Sequence, residues 1–298
     1  MGSVTLPTFL GIGVPRAGTT WLHTLLAAHP DVYLPTKRKE VRFFDRHFDK
    51  GTAWYESYFP GAEEARGYEA LGEISPQYLY CDTCPERIDA LLPAVKLLVM
   101  LRHPVDRAYS QYGFVVQRKN YRGSFDEFLE TRPKALQMGR YSEHLEAYRA
   151  RFGAERILVV LFEEAIGGRG DVRGSLAGFL GVSVDGLPAS TGRVNPSTVP
   201  RFRSLSSLAV STGRRLRRHH LEPVVDLAGR LGLRRLLTRG RRVPRLDPQR
   251  RQELSARFED GFDALERDWG LDLSAWRAEP SRTQSPPATE GEEIRSAS

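Results

Sequence analysis

The chain has 298 residues, 40% of them hydrophobic, and 44 Lys and Arg against 37 Asp and Glu give it a formal net charge of +7. That length can bury a full α/β core. No apolar run reaches the ~18 residues needed to cross a bilayer, and the N-terminus lacks the basic-then-apolar pattern of a signal peptide, so a cytoplasmic enzyme without a transmembrane segment is expected.

The first predicted element is a strand over Thr8–Val14 that breaks into a Gly-containing loop and restarts as a helix, TFLGIGVPRAGTTWL. Gly13 and Gly18 bracket four residues and Thr20 takes the Ser/Thr place, the outer spacing of a Walker A loop. Thr19 stands where a triphosphate enzyme carries its Lys, and the positive charge sits inside the loop at Arg16. Backbone N–H groups at Gly18, Thr19 and Thr20 can still hold one phosphate at the helix N-terminus. The alternative is a strand-to-helix turn with no ligand. Leu22, Leu25 and Leu26 share a face of the first helix, and His29-Pro30 ends it.

Next comes KRKEVRFFD, residues 37–45, in which Glu40 reads from the residues alone as a surface carboxylate paired with Lys39 or Arg42. A second strand is predicted over Ala70–Ile74. Cys81 and Cys84 form a lone C-x-x-C without a second pair or a His cluster, so they read as two reduced loop thiols and no metal site is expected.

Lys96–Leu101 is a short continuous apolar run of the buried parallel type. Arg102 follows it directly, where a triphosphate hydrolase would place a magnesium-organising Asp. A helix is predicted from Val105 to about Arg118, with Ser110 two turns along. Arg102 offers a planar fork for a phosphate that Ser110 can share; alternatively it caps the strand and pairs with Asp106. Two anion sites at the ends of two strands point to a nucleotide phosphorylated at both ends.

Further on, Ser124 and Glu127 form a capping box ahead of Phe125 and Phe128, and Leu145, Tyr148 and Phe152 stripe a later helix. Another strand is predicted over Ile157–Phe162. Between Arg201 and Arg245 stand 13 Arg against Glu222 and Asp226. This segment is either a solvated basic face or an attraction for an anionic partner; no nucleic-acid motif accompanies it. Asp247-Pro248 opens a long terminal helix with Leu254, Phe258, Phe262 and Leu265 on its buried face. From Glu279 the chain turns to Ser, Pro, Thr and Glu, so a domain over 1–278 is expected with a disordered tail over 279–298. Strands alternating with helices predict an α/β fold with a central parallel sheet, helices on both faces, and ligands at the strand C-termini.

These residues carry a resemblance to the sulfotransferases that use 3′-phosphoadenosine 5′-phosphosulfate, in particular the heparan-sulfate branch and its bacterial relatives. Pro15 to Thr20 resembles the family's 5′-phosphosulfate loop, and LRHPVDRAYSQY, with Arg102 and Ser110, resembles its 3′-phosphate motif. Lys39 to Asp45 resembles the segment that supplies the catalytic carboxylate. Gly72 to Pro76 and LERDWGLDLSAW, residues 265–276, also match, so the resemblance runs from about Thr8 to Trp276.

It implies a P-loop-like three-layer sandwich that binds the donor through Arg16, Ala17, Gly18, Thr19, Thr20, Trp21, Arg102 and Ser110. It also implies Glu40 as general base and Arg16 as the group that stabilises the leaving phosphate. The sulfuryl group would pass in line to a hydroxyl of a small metabolite, glycolipid or saccharide, and a basic lid near 193–203 with Asn195 would suit an anionic or amphiphilic acceptor. The chain departs from the family where Arg16 replaces the usual Lys and where Ile74 precedes Ser75-Pro76. A nucleotide-binding protein without transfer activity and a P-loop kinase are the alternatives.

Overall fold

The computed structural model describes residues 5–168, 170–189 and 243–278. The lid region 193–203, most of the Arg-rich segment and the tail over 279–298 lie outside the described residues.

Five parallel strands form one sheet: β1 (Phe9–Gly13), β2 (Val32–Tyr33), β3 (Ala70–Ile74), β4 (Lys96–Leu101) and β5 (Ile157–Leu161), in the order β2-β3-β1-β4-β5. Every residue of β1 and β3 is buried. Successive strand residues face opposite sides, so both faces of the sheet are covered and this is the three-layer arrangement expected. Four strands fall within one residue of the sequence reading. The fifth, β2, is two residues long and pairs only with β3, at Val32↔Ala70 and Tyr33↔Leu71; so short an edge strand carries no periodicity to read.

The helices that cover the sheet include α1 (Thr19–Ala27), α2 (Cys84–Leu91), α3 (Pro104–Lys119), α4 (Phe125–Thr131), α5 (Tyr141–Phe152), α6 (Val172–Leu180), α7 (Pro248–Ser255) and α8 (Glu259–Trp269). No described helix is long and apolar enough to cross a membrane. The capping box forms as expected: Ser124 Oγ accepts from Glu127 N and the Glu127 carboxylate accepts from Ser124 N. The stripe Leu145, Tyr148 and Phe152 is buried.

Two expectations are corrected. The terminal helix is two helices, because a 3₁₀ turn over Ala256–Phe258 separates α7 from α8 while Leu254, Phe258, Phe262 and Leu265 all stay buried. Cys81 and Cys84 are bonded as a disulfide rather than free thiols. The turn that leads into α2 folds Cys84 N onto Cys81 O at 3.1 Å and brings the Cα atoms to 5.3 Å, a span that a disulfide fits.

The C-terminal stretch closes the fold against the end of β4. Trp276, in the short helix Ser274–Arg277, packs edge-on against Phe262 and His103 with ring centroids at 5.3 and 6.0 Å. Its indole N–H donates to Glu163 Oε2 at 3.0 Å, and Glu163 Oε1 accepts from the His103 backbone N–H, also at 3.0 Å. Burying a tryptophan this fully and satisfying its donor contributes several kcal/mol. Trp276→Ala is expected to lower the unfolding free energy by about 3–5 kcal/mol, read from urea denaturation.

Candidate active site

β1 is flanked by β3 and β4 and runs parallel to both, so the carboxyl ends of three neighbouring strands lie on one side of the sheet. Phe9↔Lys96 and Gly13↔Val99 set the β1–β4 register, and beyond it Val14 N donates to Met100 O at 2.9 Å. The loop after β1 is therefore fixed against the end of β4. This is the kind of place, outside the carboxyl ends of parallel strands where the chain switches sides, at which open α/β sheets bind ligands.

The loop turns on Gly18, the residue before α1. Its φ is 91°, a left-handed conformation, and a Cβ there would lie 2.6 Å from the Phe162 ring. No side chain caps α1 and its first turn contains no acidic residue, so its leading N–H groups and the helix dipole are left for an anion. Thr19 and Trp21 are buried, and Thr20 is half-buried.

Arg102 leaves the end of β4 and donates from Nη1 to the Arg16 carbonyl at 3.3 Å, while its guanidinium covers the Phe162 ring at 4.6 Å. Arg16 donates from Nε to Ser110 Oγ at 3.3 Å and lies over the Phe114 ring at 5.0 Å. The structure thus brings Arg16, Arg102 and Ser110 together from three elements. The sequence alternative for Arg102 is not realised: Asp106 instead takes a bidentate pair from Arg251, at 3.1 and 3.2 Å. Burial lowers the pKa of both guanidiniums. Arg102, Arg107 and Arg118 lower that of Arg16 further, whereas for Arg102 the charges of Asp106 and Glu163 oppose the burial effect. Among the described residues neither Arg16 nor Arg102 has a carboxylate within ion-pair distance. A concentration of buried positive charge with no carboxylate in contact is a site built for a phosphate-sized anion.

The segment that carries Glu40 crosses the mouth of the same loop. Lys39 Nζ donates to Thr20 Oγ1 at 2.7 Å, and burial lowers the Lys39 pKa against the opposing charge of Glu40. Arg42, at φ 59°, pairs with Asp45. Both cations that the sequence offered to Glu40 are engaged elsewhere, and its half-buried carboxylate has no hydrogen bond or ion pair among the described residues.

Beneath this segment lies a group that the sequence reading did not single out. Glu73 of β3 is wholly buried and accepts from Ser75 Oγ at 2.6 Å, Tyr78 Oη at 2.6 Å, Val41 N at 3.2 Å and Tyr55 Oη at 3.3 Å. Burial raises its pKa and those four hydrogen bonds oppose the rise. Burial and the Glu73 charge push the phenols of Tyr55 and Tyr78 well above their ordinary value, so both remain donors. Ser75 Oγ also accepts from Arg42 N at 2.9 Å. The two amides that follow Glu40 are thus both anchored to the end of β3. The signal available in the sequence was a Glu inside an otherwise apolar strand, AlaLeuGlyGluIle, followed by Ser75-Pro76 and Tyr78.

A family model described as "Sulfotransferase domain" matches residues 6–224. The human heparan sulfate glucosamine 3-O-sulfotransferase 3B1 is 33% identical over 190 residues, covering 61% of this chain and 47% of that protein. The mouse bifunctional heparan sulfate N-deacetylase/N-sulfotransferase 4 is 30% identical over 197 residues, covering 60% of this chain and 22% of that protein. The chain thus spans about half the length, or less, of these curated relatives. Among solved structures, a sulfotransferase from Alicyclobacillus acidocaldarius superposes with a TM-score of 0.65 at 26% identity, over 92% of this chain and all of that one.

Next to Arg102, the His103 ring is fully buried, and burial lowers its pKa from 6.5 to about 4. The unfolded chain therefore binds a proton near pH 6.5 that the folded chain refuses until about pH 4. The resulting destabilisation is absent at neutral pH and grows as the pH falls through that window, to about 3 kcal/mol. Urea unfolding free energies measured from pH 7 to 4 should fall by that much more in the wild type than in His103→Asn.

Proposed function

The chain belongs to the sulfotransferase domain family, and from that premise we propose that it transfers a sulfuryl group from 3′-phosphoadenosine 5′-phosphosulfate to a hydroxyl of a small metabolite, glycolipid or saccharide. The observation that carries the reading is the meeting of two anion-holding groups, the α1 N-terminus after Gly18 and the Arg102–Arg16–Ser110 cluster, at adjoining strand ends. One doubly phosphorylated adenosine fits that pair, with its 5′ group on the backbone amides of Gly18, Thr19 and Thr20 and its 3′-phosphate on Arg102 and Ser110.

The donor supplies the sulfur: its bond to the bridging phosphate oxygen breaks as a bond to the acceptor oxygen forms. Glu40 takes the acceptor's proton, a role open to a carboxylate that has no hydrogen bond or ion pair among the described residues. The α1 amides and the surrounding cations hold the charge left on the 5′-phosphate. Among acceptors a saccharide is favoured, because both curated relatives named above are heparan sulfate enzymes, and the 3-O-sulfotransferase of the two supports a hydroxyl. The unpaired Glu40 also weighs against a binding protein without transfer activity, and Thr19 in the Walker lysine's place weighs against a kinase.

Glu40→Gln is expected to lower kcat by about 10²–10⁴-fold, the usual worth of a general base, while the calorimetric Kd for adenosine 3′,5′-bisphosphate stays within about twofold of wild type. Turnover near the wild-type value would remove Glu40 from the mechanism. Arg102→Ala should weaken adenosine 3′,5′-bisphosphate by about tenfold or more and leave adenosine 5′-monophosphate nearly unaffected. Equal losses for the two nucleotides would show that Arg102 does not read the 3′-phosphate.

A further inference from the structure

Resting on the donor reading above, we propose that Lys39 is the cation at the 5′ end of the donor and takes the charge of the departing phosphate, while the side chain of Arg16 serves the 3′ end. The loop sequence alone suggests the opposite, because Arg16 is its only cation. The side-chain geometry separates the two. Arg16 is directed at Ser110, whose hydroxyl accepts from Nε at 3.3 Å, and its guanidinium rests over Phe114 one turn further along α3. Arg102 reaches the Arg16 carbonyl from the other side, so both guanidiniums belong to one cluster at the end of β4.

Lys39 lies at the opposite end of the loop. Its ammonium donates to Thr20 Oγ1 at 2.7 Å, which places it on the first turn of α1 beside the uncapped amides that would hold the 5′ group. An ammonium has three donors, and the Thr20 bond uses one of them. The place left without charge by Thr19 is thus supplied from a neighbouring segment by a compact point charge. Charge-assisted hydrogen bonds to phosphate oxygens are about twice as strong as neutral ones, and they gain strength as negative charge builds on the leaving oxygen. Lys39 precedes Glu40 directly, so consecutive residues of one strap would act on the leaving and the entering oxygen, with no proton passing through Lys39.

The test is isothermal calorimetry on the full chain with three probes, adenosine 3′,5′-bisphosphate, adenosine 5′-monophosphate and adenosine 3′-monophosphate, using wild type, Lys39→Gln, Lys39→Arg and Arg16→Gln. Lys39→Gln should weaken both 5′-phosphorylated probes by a similar factor, about tenfold or more, and leave the 3′-monophosphate unchanged. Lys39→Arg should recover part of that affinity. Arg16→Gln should weaken the two 3′-phosphorylated probes and leave the 5′-monophosphate within about twofold. With a hydroxyl acceptor, Lys39→Gln should also lose about 10²-fold in kcat. Unchanged affinity of Lys39→Gln for the 5′ probes, or an Arg16→Gln loss on the 5′-monophosphate as large as on the bisphosphate, overturns the assignment and leaves the sulfotransferase reading intact. A wild-type protein that binds neither the bisphosphate nor the donor itself overturns that reading, and the assignment with it.

Discussion

Two guanidinium groups, Arg16 and Arg102, are held partly out of water at the ends of adjacent strands with no carboxylate in contact among the described residues. Desolvation works against both charges, and for Arg16 the neighbouring arginines add repulsion. Arg102 has Asp106 and Glu163 in its vicinity, but Asp106 is committed to Arg251, and Glu163 to the His103 amide and the Trp276 indole. An arrangement like this is costly for the isolated protein and becomes favourable once a multiply charged anion enters it. The α1 N-terminus adds uncapped amides and a favourable dipole beside the same strand ends.

Holding such charges in place requires a rigid frame, and the fold supplies it through the backbone rather than through counter-ions. The Arg102 carbonyl accepts from Tyr141 Oη at 2.8 Å and the next amide is held by Glu163. Glu163 is fixed in turn by Trp276 near the end of the described chain. The loop after β1 is tied to β4 through Val14 and Met100 and to Arg102 through the Arg16 carbonyl. The C-terminal stretch, distant in sequence, therefore sets the position of a strand end on which the nucleotide reading depends. That accounts in physical terms for why LERDWGLDLSAW accompanies the loop motifs in this chain.

The parts of this design legible in the sequence are those encoded within a few residues of one another. Short, mostly apolar runs marked four strands, the Gly18-Thr19-Thr20 step marked a helix start without a lysine, and Arg102 directly after an apolar run marked a second charged strand end. The contacts between segments were not legible. The Lys39–Thr20 bond spans 19 residues, and nothing in the run Lys37-Arg38-Lys39 distinguishes the cation that turns inward. The Arg16–Ser110 bond spans 94 residues, so the loop could be read as cationic without showing which end of a ligand its side chain faces. The break between α7 and α8 was hidden because Leu254, Phe258 and Phe262 keep the i, i+4 spacing of a continuous helix across a 3₁₀ turn. The Cys81–Cys84 pairing depends on a turn geometry that a lone C-x-x-C spacing does not specify.

Glu73 shows how a residue without an exposed atom can decide what an exposed one does. A buried carboxylate is tolerable only when its lone pairs are filled, and four donors from Ser75, Tyr78, Tyr55 and the Val41 amide fill them. Two of these constraints reach the strap that carries the proposed base: the Val41 amide binds Glu73 and the Arg42 amide binds Ser75, itself a donor to Glu73. Arg42 can then adopt a left-handed backbone that a free loop would avoid, and its side chain folds back onto Asp45. With the Arg42 guanidinium bonded to Asp45 and the Lys39 ammonium to Thr20, Glu40 feels the charge of both but is hydrogen-bonded to neither. The availability of that carboxylate is therefore a property of the whole strap and of the buried acid beneath it, and it follows from packing that begins at the centre of the sheet.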